Sequence, residues 1–537
     1  MLPRSRTLRG LSQQAAHGIL HPTHTYGADH HAERSRYCCG PMATSTCSAL
    51  HLFVKILSII LWTPVFGALI TAFLPSGRRR LVRATALTTV MITFASSWSL
   101  PFLFNTLSPD LQLVERHVWN PAMGSFYALG VDGFSLPMVL LSSLLAVVAM
   151  LASTSVERSV KGYHIWLLAL EFGMLGVFLA QDWALFYVFW ELTLIPLFFL
   201  IDIWGGAHRH KASLNFVLYT MGGSVFMLLG LLAIYKASAV NSTAMDSMLV
   251  VARTLPRDTQ TLIFFGLLLG FGVKMPIVPI HGWLPLAHVE APSPISILLS
   301  GALLKMGAYG LIRTSEMLPQ ATLMLQPLLA GIALVSIVYG GLIAWRQTDL
   351  KAMIAYSSIS HMGLVLLGIA ALNTTGLLGA VLQMSAHGLI AGSLFLLIGL
   401  LYERTRTREI GDYSSLVQIT PRFAAFTTLT LLASIGLPGS MGFVAELHVI
   451  IGSLQRFGWW TLLVSVGVLV SATYAFRTIG SLFTGPVRPA MKSVQDLRPA
   501  ELIAACMLLA GILGFGVAPS LPLELINTSV SRLSSIF

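Results

Sequence analysis

The feature that most constrains this chain is the recurrence of apolar runs long enough to cross a lipid bilayer. A membrane-spanning helix needs about 20 consecutive, mostly apolar residues, and such runs follow one another from residue 52 to residue 523. Only 10% of the residues are charged, against about 25% in a typical soluble domain. The sequence therefore predicts an all-α polytopic membrane protein.

The apolar runs give about fourteen candidate transmembrane helices. They cover roughly 52–74, 82–104, 134–154, 164–181, 183–202, 213–235, 259–282, 292–313, 323–345, 351–372, 374–402, 421–455, 459–484 and 500–523. Basic residues lie mainly in the loops after odd-numbered spans, so the positive-inside rule places those loops in the cytoplasm or matrix. This distribution also explains the net charge of +11, which therefore does not indicate a nucleic-acid partner.

The spans divide the chain into five predicted segments. They are residues 1–50, an N-terminal extension; 51–160, helices 1–3; 161–315, a first repeat of helices 4–8; 320–485, a second repeat of helices 9–13; and 486–537, helix 14 and a tail. Residues 1–50 are rich in arginine and poor in acids, which is typical of a mitochondrial presequence. A start codon assigned too early, with Met42 as the natural start, is the alternative that we favour. Either way, we expect this segment to be disordered or absent from the working protein.

Cofactor motifs are missing from the sequence. The four cysteines, Cys38, Cys39, Cys47 and Cys506, have neither metal-ligand nor iron–sulfur spacing. A phosphate-binding Walker loop and a strand–GxGxxG–helix unit are also lacking. We therefore expect no catalytic residue, metal or cofactor in this chain, so that any NADH or ATP chemistry belongs to partners.

Ionisable residues inside the spans are few, and they are the candidate functional residues. A charged side chain at the bilayer centre costs roughly 2.5–3.5 kcal/mol even on lenient insertion scales. A single such residue is explained by a structural ion pair, but eight of both signs indicate a proton or ion path. The eight are Glu171, Asp182, Glu191, Lys274, Lys305, His361, His387 and Glu446.

Two spans are also interrupted next to these charges. Lys274 is followed by Pro276 and Pro279, and Pro438, which lies between two glycines, precedes Glu446 by eight residues. Proline removes a helix hydrogen bond and kinks the chain. A plain kink is one interpretation. Broken helices that line a cavity are the other, and they are a common sign of an ion site in transporters.

The two broken spans indicate an inverted repeat. Glu191 in span five precedes Lys274 in span seven by 83 residues, and His361 in span ten precedes Glu446 in span twelve by 85. Because the two sets are five spans apart, equivalent helices run in opposite directions. The sequence therefore predicts two inverted five-helix repeats, with helices 7 and 12 broken.

These residues suggest one polar axis along the middle of the membrane. Glu191 pairs with Lys274, and Lys305 on span eight passes a proton onward. His387 follows, because an unperturbed imidazole titrates near neutral pH and has two nitrogens for relay. Glu446 ends the row.

Long motifs in this order resemble a known family. "DWALFYVFWELTLIPLFFL", "KMPIVPIHGWLPLAHVEAPSPISILLSGALLKMGAYGLIR", "DLKAMIAYSSISHMG", "MSAHGLIAGSLFLLIGLLYERT" and "GLPGSMGFVAEL" are similar to the antiporter-like membrane subunits of respiratory complex I. The similarity covers about residues 55–520. Within the family, the chain resembles the M type, or chain 4, because a glutamate, Glu446, stands in span twelve where the N and L types usually have lysine.

The resemblance implies a proton-translocating subunit of NADH:quinone oxidoreductase in a bacterial inner membrane or, less favoured, a mitochondrial one. By position, it assigns the proton pathway to Glu171, Glu191, Lys274, Lys305, His361, His387 and Glu446. It further implies that FMN, iron–sulfur clusters and quinone reside in partner subunits. The expected partners are other membrane-arm subunits, including neighbouring antiporter-like subunits, and lipids.

Three alternatives share these sequence features. A multisubunit sodium/proton antiporter and a hydrogenase-linked relative of complex I carry similar motifs. A passive scaffold, in which the charges only hold helices together, is the third, and it predicts that Glu191→Gln harms assembly but leaves pumping per complex unchanged.

Overall fold

The computed structural model describes residues 55–239 and 241–537. The predicted N-terminal extension, residues 1–50, and the start of the first predicted span lie outside the described residues.

The first part of the chain consists of helices and one β-hairpin. In chain order the elements are α1 (Ile56–Phe73), α2 (Arg79–Trp98), α3 (Leu100–Leu103), β1 (Gln112–Asn120), β2 (Ser125–Val131), α4 (Leu136–Ala152), α5 (Val160–Leu179), α6 (Trp183–Leu192), α7 (Leu194–Trp204), α8 (Arg209–Ala237), α9 (Met245–Thr254), α10 (Arg257–Lys274) and α11 (Trp283–Glu290).

The second part is helical throughout. Its α-helices are α12 (Ser293–Leu298), α13 (Leu304–Met317), α14 (Pro319–Arg346), α15 (Leu350–Ala371), α16 (Thr374–Thr405), α17 (Leu416–Ile419), α18 (Pro421–Ser434), α19 (Met441–Phe457), α20 (Leu463–Phe483), α21 (Pro499–Val517) and α22 (Ser520–Ser534). A π-helical turn, Leu299–Leu303, joins α12 to α13.

Within the described residues, twelve helical segments are long and apolar enough to cross a membrane. The predicted count of fourteen is therefore not confirmed, although the polytopic helical architecture is. The difference lies at the irregular helices: the segment Met441–Phe483 contains both α19 and α20, and the interrupted helix α10 is not among the twelve.

The predicted interruptions are present, and each falls in the fourth helix of its five-helix set. In the first set, α10 ends at Lys274 and α11 begins at Trp283; in the second, α18 ends at Ser434 and α19 begins at Met441. The second break needs glycine, because Gly436 and Gly439 adopt φ values of +78° and +89° that side chains disfavour.

Central and peripheral helices differ in burial. In the most apolar 18-residue stretch of Ser293–Met317 every residue is buried within the chain, and in the corresponding stretches of α15 and α16 94% of the residues are buried. In α1, α2 and α21 only 33% are, so these helices present apolar side chains outward. The candidate site lies among the central helices, and the peripheral ones shield it.

A β-hairpin, which the sequence analysis did not predict, closes one end of the bundle. Strands β1 and β2 pair antiparallel. The Gly133 N–H donates to Ser529 Oγ of α22 at 3.0 Å, and Arg116 of β1 lies 3.1 Å from Asp246 of α9. We call this end, with β1–β2, α9 and α22, the hairpin face. The opposite end, which carries most of the basic loops, is the basic face.

Glu115 of β1 attaches the hairpin to the start of α1. Its Oε1 accepts hydrogen bonds from the Leu57 and Ser58 N–H groups at 2.8 and 3.2 Å, and its Oε2 accepts one from the Ser58 hydroxyl. The first N–H groups of a helix have no partner within the helix. A strand residue distant in sequence thus caps α1.

We expect Glu115→Ala to lower the free energy of unfolding by about 1–2 kcal/mol, because it removes this cap. The midpoint of thermal unfolding of the detergent-purified protein measures the effect. The exposed Glu157 provides the control, since Glu157→Ala should leave the midpoint unchanged. Equal midpoints for both variants would show that the tether does not stabilise the fold.

Candidate functional site

Lys274 is a buried cation held mainly by neutral acceptors. Its side chain sits at the end of α10 and is 2% exposed. The ammonium donates to Thr193 Oγ1 at 2.8 Å and to the Trp190 carbonyl at 3.3 Å. It also lies 4.0 Å from the centre of the Trp190 ring, where the π face attracts a cation.

An irregularity in span five supplies these acceptors. Pro196 lacks an N–H, so it cannot bond the Leu192 carbonyl, and the span divides at Thr193 into α6 and α7. Thr193 points its hydroxyl towards α10. Breaks were predicted in spans seven and twelve but not in span five, although Pro196 is a local signal for one.

Glu191, the predicted partner of Lys274, interacts with it electrostatically without direct contact. No ion pair within 4.0 Å joins the two residues in the part of the chain that the structure describes. Glu191 is half-buried, and its Oε1 is a buried atom without a hydrogen-bond partner. Tyr187, one turn earlier, interacts with the same carboxylate. Glu191 is therefore a neighbouring charge rather than a bonded counter-ion.

Lys305 lies in the fully buried segment that follows the π-helical turn. Its ammonium donates to the Ser300 carbonyl at 2.5 Å and to His387 Nδ1 at 2.7 Å. A π-helical turn widens the helix by one residue and commonly occurs at functional sites. When Lys305 is protonated it can only donate, so in that state His387 Nδ1 accepts and the proton of a neutral ring is on Nε2.

Three further groups continue the row from His387. The ring centres of His387 and His361 are 5.6 Å apart, and His361 Nδ1 is 3.7 Å from Glu446 Oε1. Gln383 Nε2 lies 3.5 Å from the same His361 nitrogen. Lys305, His387, His361 and Glu446 thus form a continuous row from α13 through α16 and α15 to α19, which we call the central row.

The predicted polar axis consists of two groups. Glu191 and Lys274 form the first, and the central row forms the second. Among the described residues, no hydrogen bond or ion pair connects Lys274 with Lys305. A proton passing between the groups therefore needs water or a side-chain movement. Glu171 joins neither group: it is completely buried in α5, and both of its carboxylate oxygens lack a hydrogen-bond partner.

The structure adds two buried titratable residues that the sequence analysis did not assign to the pathway. His288 in α11 is completely buried, stacks on Phe395 at 4.5 Å, and has two ring nitrogens without a partner. Lys351, 3% exposed, donates to the Ala291 carbonyl at 2.8 Å. Lys305 and Lys351 both act electrostatically on His288. These two residues extend the cluster from Lys305 towards the basic face.

Metal-binding geometry is not found in the described ranges. They contain no group of three or more His, Cys, Asp or Glu that could hold a metal ion. Cys506 is exposed and unpaired, whereas Cys38, Cys39 and Cys47 lie outside the ranges that the structure describes.

Replacing Thr193 tests how Lys274 is held. Thr193→Val has nearly the same shape but lacks the hydroxyl, so the buried ammonium loses its 2.8 Å acceptor. We expect the free energy of unfolding to fall by about 1–3 kcal/mol, measured as the thermal midpoint in detergent. Thr193→Ser keeps the acceptor and is the matched control. A valine variant as stable as the serine variant would contradict this role.

Comparison with known proteins places the chain in a family. The family described as "NADH:quinone oxidoreductase/Mrp antiporter, TM" matches residues 180–471. NADH-quinone oxidoreductase subunit M of Rhodobacter capsulatus is 40% identical over 494 residues, covering 89% of this chain and 96% of the relative. NAD(P)H-quinone oxidoreductase chain 4 2 of Thermosynechococcus vestitus is 39% identical over 492 residues, covering 89% and 91%.

Solved structures agree with this relationship. Respiratory complex I from Thermus thermophilus with bound NADH contains a chain that superposes with a TM-score of 0.82 at 31% identity, covering 89% of this chain and 99% of that chain. The Mrp complex from Dietzia sp. shares the fold, with a TM-score of 0.77 at 20% identity, covering 90% and 99%. Because the family match spans more than half of its length and relatives about 40% identical span most of it, this chain belongs to the NADH:quinone oxidoreductase/Mrp antiporter transmembrane family.

Proposed function

We propose that this chain is a proton-translocating membrane subunit of an NADH:quinone oxidoreductase, the M or chain 4 type of complex I. The observation that carries the proposal is the central row, in which Lys305, His387, His361 and Glu446 lie next to one another across the bundle. Relatives named subunit M and chain 4 align with 89% of the chain.

In this proposal, the pathway residues move charge without making or breaking covalent bonds to carbon. A change in charge near Glu191 alters the electrostatic balance at Lys274. That change reaches Lys305, whose ammonium hands a proton to His387 through the 2.7 Å hydrogen bond. Imidazole accepts at one nitrogen and donates from the other, so His387 and His361 relay the proton towards Glu446.

The energy comes from outside the chain. Moving one charge across the membrane against the potential costs about 2.3 kcal/mol per 100 mV, so proton transfer must be coupled to quinone reduction. We assign FMN, the iron–sulfur clusters and the quinone site to partner subunits, and no catalytic redox residue to this one. The partners are other membrane-arm subunits, including neighbouring antiporter-like chains, together with the lipids of an inner membrane in which the chain is embedded as a multi-pass protein.

A sodium/proton antiporter subunit is the second candidate function. The specific observation in its favour is the Mrp complex structure, which shares this fold over 90% of the chain. Its 20% identity supports the fold alone, whereas relatives from quinone oxidoreductases reach about 40%. We therefore rank the quinone oxidoreductase function first.

Glu191→Gln tests whether the first group takes part in pumping. The variant removes the charge that acts on Lys274 but keeps the shape of the side chain, so we expect assembly to be normal and coupled proton pumping to be lost. Proton uptake into liposomes, normalised to assembled complex, is the measurement.

Glu501→Gln is the control. Glu501 is buried, pairs with Arg404 at 2.5 Å, and lies at the basic face rather than in the row. It should pump normally. Normal pumping by Glu191→Gln would contradict the role of Glu191, and poor assembly with unchanged pumping per complex would indicate a scaffold.

Purification of the tagged chain in mild detergent tests the assembly. We expect NADH:quinone oxidoreductase activity and iron–sulfur proteins to co-purify, and proton pumping by that preparation to be independent of sodium. Recovery of other antiporter-like chains without NADH oxidation, and with sodium-dependent proton exchange, would instead identify an antiporter that uses an existing gradient.

A further inference from the structure

A polar cavity opens at the hairpin face, outside the pathway described above. It has a volume of about 160 Å³ and lies between the hairpin, α9, α13 and α22. The polar and charged residues that line it are Asp132, Gln181, Asp246, Arg313, Glu316, Ser529 and Arg532. We call it the hairpin-face pocket. The positive-inside rule places this face on the outer side of the membrane.

The floor of the pocket is a buried ion cluster. Arg313 Nη1 lies 2.7 Å from Asp132 Oδ2, and their side chains are only 11% and 9% exposed. Glu316 Oε2 is 3.9 Å from the same nitrogen. Burial alone would raise the pKa of Asp132, but the charge and hydrogen bond of Arg313 and the N–H groups of Ser135 and Phe134 bring the pKa below its usual value. The carboxylate is therefore ionised.

One helix face leads from this floor to the central row. Lys305, Tyr309 and Arg313 are four residues apart in α13, so their side chains follow one another along the same face. Arg313 Nη2 donates to the Tyr309 hydroxyl at 3.0 Å. Four residues correspond to a rise of about 6 Å along the helix axis, so Tyr309 lies one turn beyond Lys305 on the way to Arg313.

Tyr309 can relay a proton as well as fill space in the core. It is completely buried against the rings of Phe178 and Phe186, and its hydroxyl both accepts and donates. The row itself runs sideways through the bundle, whereas this face of α13 runs along the helix axis. This face of α13 therefore offers a route for protons along the helix axis, which the central row does not.

We propose that the hairpin-face pocket is the proton-release end of the Lys305 site, with Tyr309 as relay and Asp132 and Glu316 as the terminal acceptors. This inference rests on the proposed proton translocation. The ammonium of Lys305 gives up a proton through water, leaving a neutral amine, and the Tyr309 oxygen takes it while the phenol proton passes on. A carboxylate receives that proton and loses it to water in the pocket. Arg313 stays charged and keeps Asp132 ionised between transfers.

The experiment uses the intact complex in liposomes and the variants Tyr309→Phe and Asp132→Asn. Tyr309→Phe keeps the ring among its aromatic neighbours but removes the hydroxyl, so assembly should be normal. A positioned proton-transfer group contributes roughly 100-fold or more to a rate, and we expect coupled proton translocation to slow by about 10-fold or more. The solvent deuterium isotope effect on turnover should rise, because release becomes rate-limiting.

Glu501→Gln is again the control, since Arg404 and Glu501 form a buried pair of similar exposure, 13% and 7%, at the opposite face. If the Asp132–Arg313 pair has a purely structural role, Asp132→Asn should reduce assembly just as Glu501→Gln does, and the isotope effect should not change. This result would overturn the inference. Normal pumping by Tyr309→Phe would overturn it as well. If Tyr309→Phe pumps normally but Glu191→Gln abolishes pumping, only the proposed release route is wrong. If both variants pump normally, the proposed function is wrong as well.

Discussion

The structure has to provide hydrogen-bond acceptors for buried ammonium groups, although the backbone carbonyls of regular helices are already hydrogen-bonded within the helix. A regular helix bonds nearly every carbonyl internally, and an unsatisfied polar group in an apolar interior costs several kcal/mol. Each buried lysine therefore lies beside a helix irregularity or end. Lys274 bonds Trp190 and Thr193 at the division of span five, Lys305 bonds Ser300 in the π-helical turn, and Lys351 bonds Ala291 just after α11.

Holding lysines with neutral acceptors has a consequence for function. If Lys274 or Lys305 had a bonded carboxylate, loss of its proton would leave an uncompensated buried anion, which is strongly unfavourable. With carbonyl, hydroxyl and imidazole partners, the protonated and neutral amines are both accommodated. The arrangement thus allows the charge to leave and return, which a proton path requires. The hairpin-face ion cluster is the opposite case, since Asp132 and Arg313 bond directly to each other.

Several features could be predicted from the sequence because their causes are local. Proline and glycine near Lys274 and Glu446 predicted the two breaks, because proline has no N–H to complete a helix hydrogen bond. The contact between Lys305 and His387 joins residues 82 positions apart, and their adjacency followed only from the expectation that buried charges converge. The hairpin, the division at Thr193, and the participation of His288 and Lys351 were not predicted. His288 has no local signal that separates a relay residue from a packed one.

The sequence by itself determined the polytopic helical class, the positions of the two breaks and the identities of several buried ionisable residues, since apolar run length and the cost of burying charge act along the chain. Only the tertiary structure decided that Glu191 does not touch Lys274, that the polar axis forms two groups, and that Arg313 joins Tyr309 to a pocket at the hairpin face. The reason is physical. Which acceptor a flexible lysine reaches is set by the packing of helices that are remote in sequence, and contacts at 2.5–2.8 Å depend on shifts smaller than any sequence pattern encodes.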